Sequence, residues 1–274
     1  TLSVVIPVYN ESDNLPELLE RSLKACRSLD AKFELILVDD GSRDNSAELI
    51  SKAAEANRGE VVGILLNRNY GQHSAVFAGF AHAKGDYVIT LDADLQNPPE
   101  EIPNIYRKLA EGFDVVAGVR VPRQDSVFRR LSSFLVNKVT AKATHVIMHD
   151  YGCMLRGYHS RVVEAMLQCA ERSTFIPALA NSFARHTTEI EVKHAPRVRG
   201  DSKYSVWKLI NLQFDLLTSI TTFPLRLLSL MGTIVSLFGV GLGGLIIVMR
   251  VIKGSEWAAQ GVFTLFAILF IFIG

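Results

Sequence analysis

Cysteine is scarce in this chain, which has three: Cys26, Cys153 and Cys169. They stand far apart, with no CxxC and no zinc-type spacing. That excludes a disulfide framework and fits a reducing compartment. Excess charge is missing as well, the formal net charge being +1 over 274 residues. Such a balance gives no case for nucleic acid or for a polyacidic partner. No GxGxxG follows the first apolar run, which disfavours a dinucleotide fold. A Walker A loop, a GxSxG elbow and a Cys/His zinc cluster are absent too. No basic segment precedes Leu2 to Val8, so that run reads as a strand and not as a signal peptide. The chain starts without Met and stops inside an apolar run at Ile273-Gly274, and we expect further sequence at both ends.

The composition is uneven. Up to about Lys208 it is that of a soluble α/β protein; the last stretch is mostly apolar. In the first half, strand and helix alternate. Leu2–Val8, Phe33–Val38, Val61–Leu66, Tyr87–Leu91 and Val115–Gly118 are near-continuous Val/Ile/Leu runs. Between them, Leu15, Leu18, Leu19 and Leu23 recur at helical spacing. Asp44-Asn45-Ser46 caps a helix to about Ala56, and further helices are predicted over 72–83 and 100–111. Such strands separated by helices mean a parallel sheet covered on both faces. Ligands of such sheets bind beyond the carboxyl ends of the strands. Those ends carry Tyr9-Asn10-Glu11, Asp39-Asp40-Gly41-Ser42, Asn67 to Gly71, Asp92-Ala93-Asp94 and Arg120.

Asp92 and Asp94 are two apart, so on extended backbone both point to one side. Hard carboxylate oxygens suit Mg²⁺ or Mn²⁺, which bridges to substrate phosphates, and Gln96 offers a third oxygen. An acidic turn after a strand is the plainer reading. Carboxylates after the first two strands suit ribose hydroxyls and a base N–H.

Three motifs now stand in order: Pro7-Val8-Tyr9-Asn10-Glu11, Asp39-Asp40-Gly41-Ser42, and Asp92-Ala93-Asp94-Leu95-Gln96-Asn97-Pro98-Pro99. Together they resemble the GT-A glycosyltransferases of family 2. Leu66 to His73, Asp150 to Arg156 and Glu171 to Pro177 narrow the resemblance to the polyprenyl-phosphate glycosyltransferases. It covers essentially the whole chain, and is faintest over Lys142 to His149. Among these enzymes the likeness is strongest to those that move 4-deoxy-4-formamido-L-arabinose from UDP to undecaprenyl phosphate for lipid A modification.

The resemblance implies a GT-A catalytic domain, Rossmann-like with a mostly parallel sheet, and an inverting, metal-dependent reaction. It places Pro7, Tyr9 and Glu11 along uridine, with Asp39 and Asp40 at the nucleotide and Asp40 at uracil N3. Asp92, Asp94 and Gln96 would handle Mg²⁺ or Mn²⁺ and the diphosphate, and Arg120 a phosphate. Packing for Tyr9 and a turn role for Asp39 are the alternatives. Asp150 is the candidate base. A phosphate monoester, with a second pKa near about 6, hardly needs one, so Asp150 orients acceptor or sugar in the other reading. His149 reads as structural, and neither His73 nor His194 has a visible carboxylate or Cys partner. Arg197, Arg199, Ser202 and Lys203 lie on a basic loop resembling the family's flexible active-site loop. They suit the diphosphate, the lipid phosphate or simply anionic lipid.

Membrane contact is expected in four places. Phe128, Leu131, Leu135 and Val139 alternate with Arg129, Arg130, Lys138 and Lys142, which suits an interfacial helix near 126–142 or a core helix with a solvated face. A second amphipathic helix is expected over 205–224. Leu227 to Met249 carries no charge and reaches about 35 Å as a helix, enough to span a bilayer. A second span is expected over 257–274, after a turn at Arg250, Lys253 and Gly254. The predicted division is therefore 1–204, 205–224 and 225–274. Arg197, Arg199, Lys203, Lys208 and Arg226 precede the first span, which puts the catalytic domain in the cytoplasm at a bacterial inner membrane. Gly239 to Gly243 forms a GxxxG that suits a homo-oligomer. The expected partners are a UDP-sugar, undecaprenyl phosphate and membrane lipid, without nucleic acid. A polyprenyl-phosphate glucosyl- or mannosyltransferase is the enzymatic alternative, and a membrane-tethered nucleotide-sugar binding protein the other. No QxxRW favours a processive synthase, and the spans carry too few polar residues for a channel.

Overall fold

A computed structural model describes residues 1–121, 150, 152–169, 175–193, 223–254, 265 and 269. The chain forms two compact units, Thr1–Ile220 and Thr221–Gly274. The first is built on a seven-stranded sheet. Its strands are β1 (Leu2–Val8), β2 (Phe33–Asp39), β3 (Val61–Leu65), β4 (Tyr87–Thr90), β5 (Val115–Val121), β6 (Arg156–His159) and β7 (Thr187–Lys193). Their order is β3-β2-β1-β4-β6-β5-β7. The first four run parallel, as their apolar runs predict. The expected continuation from β4 to β5 does not occur. β6 lies between them, antiparallel to both, and β7 closes the edge parallel to β5. The sheet is therefore mixed, because the short β6 supplies the hydrogen bonds that the facing edges of β4 and β5 need.

Helices cover both faces. α1 (Leu15–Arg27), α2 (Ser46–Ala56) and α4 (Ile102–Ala110) pack Leu15, Leu18, Ile50, Ile105 and Leu109 against Val4, Ile6 and Leu37. On the other face α3 (Gln72–His82), α5 (Ser160–Gln168) and α6 (Ile176–Phe183) pack Val76, Phe80, Val162 and Leu179 against Val5, Ile36 and Tyr158. The alternation of β1 between the two clusters follows from its period of two. The helix predicted from residue 100 opens as a 3-10 turn, Pro99–Glu101, before α4.

Gly79 lets α3 approach β1 closely. A Cβ there would run into the Val5 side chain and come within 3.3 Å of Val38. Gly79→Ala gains about 1 kcal/mol of helix propensity. Overpacking costs about 1–3 kcal/mol and wins because Val5 is fully buried. The expected outcome is a melting midpoint lower by several degrees; an unchanged midpoint would mean that β1 gives way freely.

In the second unit α7 (Phe223–Lys253) is a single helix of 31 residues. Its segment Leu225–Lys253 is long and apolar enough to cross a membrane. Leu228, Ile234, Leu237, Phe238 and Ile247 are all exposed on it. The turn expected at Arg250 comes later, because the helix continues to Lys253 and Gly254 follows at φ +86. One such helix is found among the described residues, where two spans were expected. Of the second span only Leu265 and Leu269 are described, both helical. The predicted interfacial helix near 126–142 lies outside the described residues, as does the helix expected over 205–224 up to residue 222, Phe223 and Pro224 belonging to α7.

Candidate active site

The register aligns the strand ends. Val8 stands opposite Asp39, Asp39 opposite Leu65, and Val5 opposite Thr90. The loops after β1, β2, β3 and β4 therefore leave from one edge. The first two are laced together. Asn10, at φ 54, donates its amide to Ser42 Oγ at 2.9 Å and accepts the Arg43 amide at 2.8 Å. The Glu11 amide donates to Ser46 Oγ at 3.1 Å, and the Glu11 carboxylate accepts from Asn14 Nδ2 at 2.6 Å. Asp44 accepts the amides of Ser12 and Ser46, each at 3.0 Å. Burial alone would raise the Asp44 pKa, but the hydrogen bonds from Ser46 and Ser12 outweigh it and hold it at about 2. Pro7 is buried within β1, and Tyr9 just beyond it is 41% exposed.

Asp39 and Asp40 part company. Asp40 is buried and accepts the amides of Tyr70 at 2.7 Å and Gly71 at 2.9 Å, tying the loop after β3 to the end of β2. Gly41, at φ +66, makes room for that loop, since a Cβ there would strike the backbone of Arg68 and Asn69. Asp39 accepts the Ser42 amide through Oδ2 at 3.1 Å. Its buried Oδ1 has no hydrogen-bond partner among the described residues. A buried acceptor in that state is expensive, and a ligand N–H would relieve it.

The acid pair lies beyond β4. Asp92 accepts from Gln72 Nε2 at 2.7 Å and from Asn97 Nδ2 at 3.5 Å. Asp94 accepts the Gln96 amide at 3.1 Å, across a turn in which the buried Leu95 sits at φ 60. A leucine in that left-handed region is strained, and such strain collects at working sites. Desolvation and then the Asp94 charge push the Asp92 pKa up to about 7; Glu11 adds to this, and Gln72 and Arg120 oppose it. No group of three or more His, Cys, Asp or Glu side chains among the described residues is arranged to hold a metal. The donor set is nevertheless hard oxygen, from two carboxylates close enough for one to raise the pKa of the other. It fits a divalent cation that draws its remaining ligands from water and phosphate.

Asp150 and Arg120, assigned separately from the sequence, form a pair. Arg120 Nε donates to Asp150 Oδ2 at 2.7 Å and Nη2 to Oδ1 at 2.9 Å. The Gly152 amide donates to the same Oδ1 at 3.1 Å. The Asp150 side chain is fully buried and that of Arg120 is 25% exposed. A bidentate guanidinium holds a carboxylate in one direction. Cys153 also touches the acid turn, through Sγ to Asn97 Oδ1 at 3.7 Å.

Gln72, Asn97 and Arg156 were not singled out from the sequence. Gln72 opens α3 directly after Gly71, and that position beside a strand-end motif was the available signal. His73 stacks at a tilt on Phe175, with centroids 6.2 Å apart, and burial lowers its pKa. Arg197, Arg199, Ser202, Lys203, His149 and His194 lie outside the described residues.

Residues 3–167 match the family model described as glycosyl transferase family 2. An undecaprenyl-phosphate 4-deoxy-4-formamido-L-arabinose transferase of Proteus mirabilis is 61% identical over 273 residues, covering 100% of this chain and 84% of the relative. Its namesake in Klebsiella pneumoniae strain 342 is 58% identical over the same coverage. Among solved structures, glucosyl-3-phosphoglycerate synthase of Mycobacterium tuberculosis with Mn²⁺, UDP and glucosyl-3-phosphoglycerate aligns with a TM-score of 0.56. It is 18% identical, with 80% of each chain covered, which shows a shared fold.

Proposed function

Because the chain belongs to glycosyl transferase family 2, within its undecaprenyl-phosphate 4-deoxy-4-formamido-L-arabinose transferases, we propose the following reaction. The protein moves 4-deoxy-4-formamido-L-arabinose from UDP to undecaprenyl phosphate with inversion, for lipid A modification and resistance to cationic peptides such as polymyxin. The sugar C1–O bond to UDP breaks, and a lipid phosphate oxygen forms the new bond to C1 from the opposite face. The observation that carries this reading is one sheet edge holding the Asp39–Asp40 loop, the acid pair and the Arg120–Asp150 pair.

Each part has a task. Tyr9, Glu11 and the open Oδ1 of Asp39 receive the nucleoside, with Asp40 holding the loop that shapes its pocket. Asp94, with Asp92 and Gln96, would hold Mg²⁺ or Mn²⁺, which supplies charge stabilisation to the departing diphosphate when bound. The acceptor phosphate is largely a dianion near pH 7, given a second pKa of about 6, and needs no strong base. Asp150 and Arg120 instead orient the reacting groups, so that proximity supplies much of the acceleration. Arg197, Arg199, Ser202 and Lys203 add cationic and hydroxyl contacts for the two phosphates. α7 anchors the enzyme in the bacterial inner membrane, with a second span after it and the catalytic unit on the cytoplasmic side. There UDP-sugar and the lipid headgroup meet. Gly239 and Gly243 pack between protomers of a homo-oligomer.

The test is transfer from a panel of UDP-sugars to undecaprenyl phosphate in detergent, with Mn²⁺ or Mg²⁺ and then with EDTA. Product only from the formamido-arabinose donor, and only with metal, is the expected result. Product from UDP-glucose instead would overturn the sugar. UDP binding without product from any donor would leave a binding protein.

A further inference from the structure

Arg156 is a fully buried arginine at the centre of the sheet. It opens β6, opposite Thr90 of β4 and Ala117 of β5. Arginine is almost never buried without a purpose for its donors. Here Nε donates to the carbonyl of Cys153 at 2.8 Å and Nη2 to the carbonyl of Asp150 at 2.7 Å. The acceptors are Asp150 itself and Cys153. Thr90 Oγ1 donates to the next carbonyl, that of Met154, at 2.6 Å. Side chains of β4 and β6 thus hold the backbone at Asp150, Cys153 and Met154, and Arg120 of β5 holds the Asp150 carboxylate.

We propose that Arg156 is a positioning residue for the transfer. Its guanidinium bridges the carbonyls of Asp150 and Cys153 and thereby fixes the direction of the Asp150 carboxylate, with Thr90 securing the adjoining Met154 carbonyl. This rests on the orienting role given to Asp150 above. The fork geometry matters, because a lysine keeps the charge but donates from a single nitrogen and cannot place donors where both Nε and Nη2 stand.

The experiment is a double-mutant cycle on the full chain in detergent, reading kcat for lipid transfer, the Kd for UDP and the melting midpoint. Arg156→Lys is expected to lower kcat about tenfold or more while the Kd for UDP stays within about twofold. In the Asp150→Asn background the same change is expected to lower kcat no further, since two residues acting as one unit are not additive. Multiplying effects would overturn the inference, as would a wild-type kcat for Arg156→Lys. Asp150→Asn with a wild-type kcat would instead remove the Asp150 assignment, and the inference with it. Should Arg156→Lys fail to fold, Thr90→Val replaces it in the cycle. The same non-additivity with Asp150→Asn is expected, and independent effects overturn the proposal.

Discussion

Asp94→Ala is expected to lower transfer by about a thousandfold or more and to leave the protein at least as stable as before. On the proposed assignment, the rate follows from losing the acid that would hold the cation most directly, and with it the charge stabilisation it would give the leaving diphosphate. The stability follows from Asp92. Its pKa stands at about 7, first from desolvation and then from the Asp94 charge. A carboxyl with a folded pKa above its unfolded value favours folding at low pH. That contribution is lost as the pH rises from about 4 through 7. Removing Asp94 removes part of the cause, so the variant's melting midpoint is expected to match or exceed wild type at pH 8. At pH 4 the part of the difference that comes from Asp92 disappears, because Asp92 is protonated in both folded proteins. Lost activity with retained or raised stability marks a group held for function. Transfer at the wild-type rate would end the metal assignment; a fall in melting midpoint at pH 8 would end the account of Asp92.

The parts of this molecule that were legible in the sequence are local. β1, β2 and β4 read correctly because a strand covered on both faces must be largely apolar, as the seven buried residues of β1 are apart from Ser3. The acid pair is close enough for the Asp94 charge to act on Asp92, but β4 ends at Thr90 and the pair sits on the turn beyond it, so the spacing argument for extended backbone does not reach it. β6 was missed because Arg156-Gly157-Tyr158-His159 has no β-branched residue. It is a strand because β4 and β5 leave room for one between them, and Gly157 fits where a Cβ would meet Ile105 and Leu109. The site divides in the same way. Nothing local says that Arg120 and Asp150, 30 residues apart, share two hydrogen bonds, or that Asp40 spends its oxygens on the amides of Tyr70 and Gly71. Sequence reading gave each of these side chains to a ligand. The folded chain first gives them to each other, which is how a loop-built site is held in shape before substrate arrives.

Arg120→Ala carries the largest expected effect on stability among the site residues. It strips a fully buried carboxylate of its bidentate partner, and an ion pair broken on one side costs about 3–5 kcal/mol. Arg120 is itself 25% exposed, so water replaces part of what it gave, and the lower end of that range is expected. Arg120→Lys keeps a charge but loses the fork, and should recover only part of the loss. The informative variant is the double change, Arg120→Met with Asp150→Asn. It removes both charges at once, so most of the stability is expected to return. Transfer is not expected to return and should stay at least about a hundredfold below wild type, because the groups proposed to orient the acceptor are gone. Thermal melts and transfer rates on the three variants separate the contributions. Recovery of both stability and transfer in the double variant would make the pair a structural cross-link. Recovery of stability alone would mean that the charges are kept for the reaction, because the fold accepts an uncharged pair in their place.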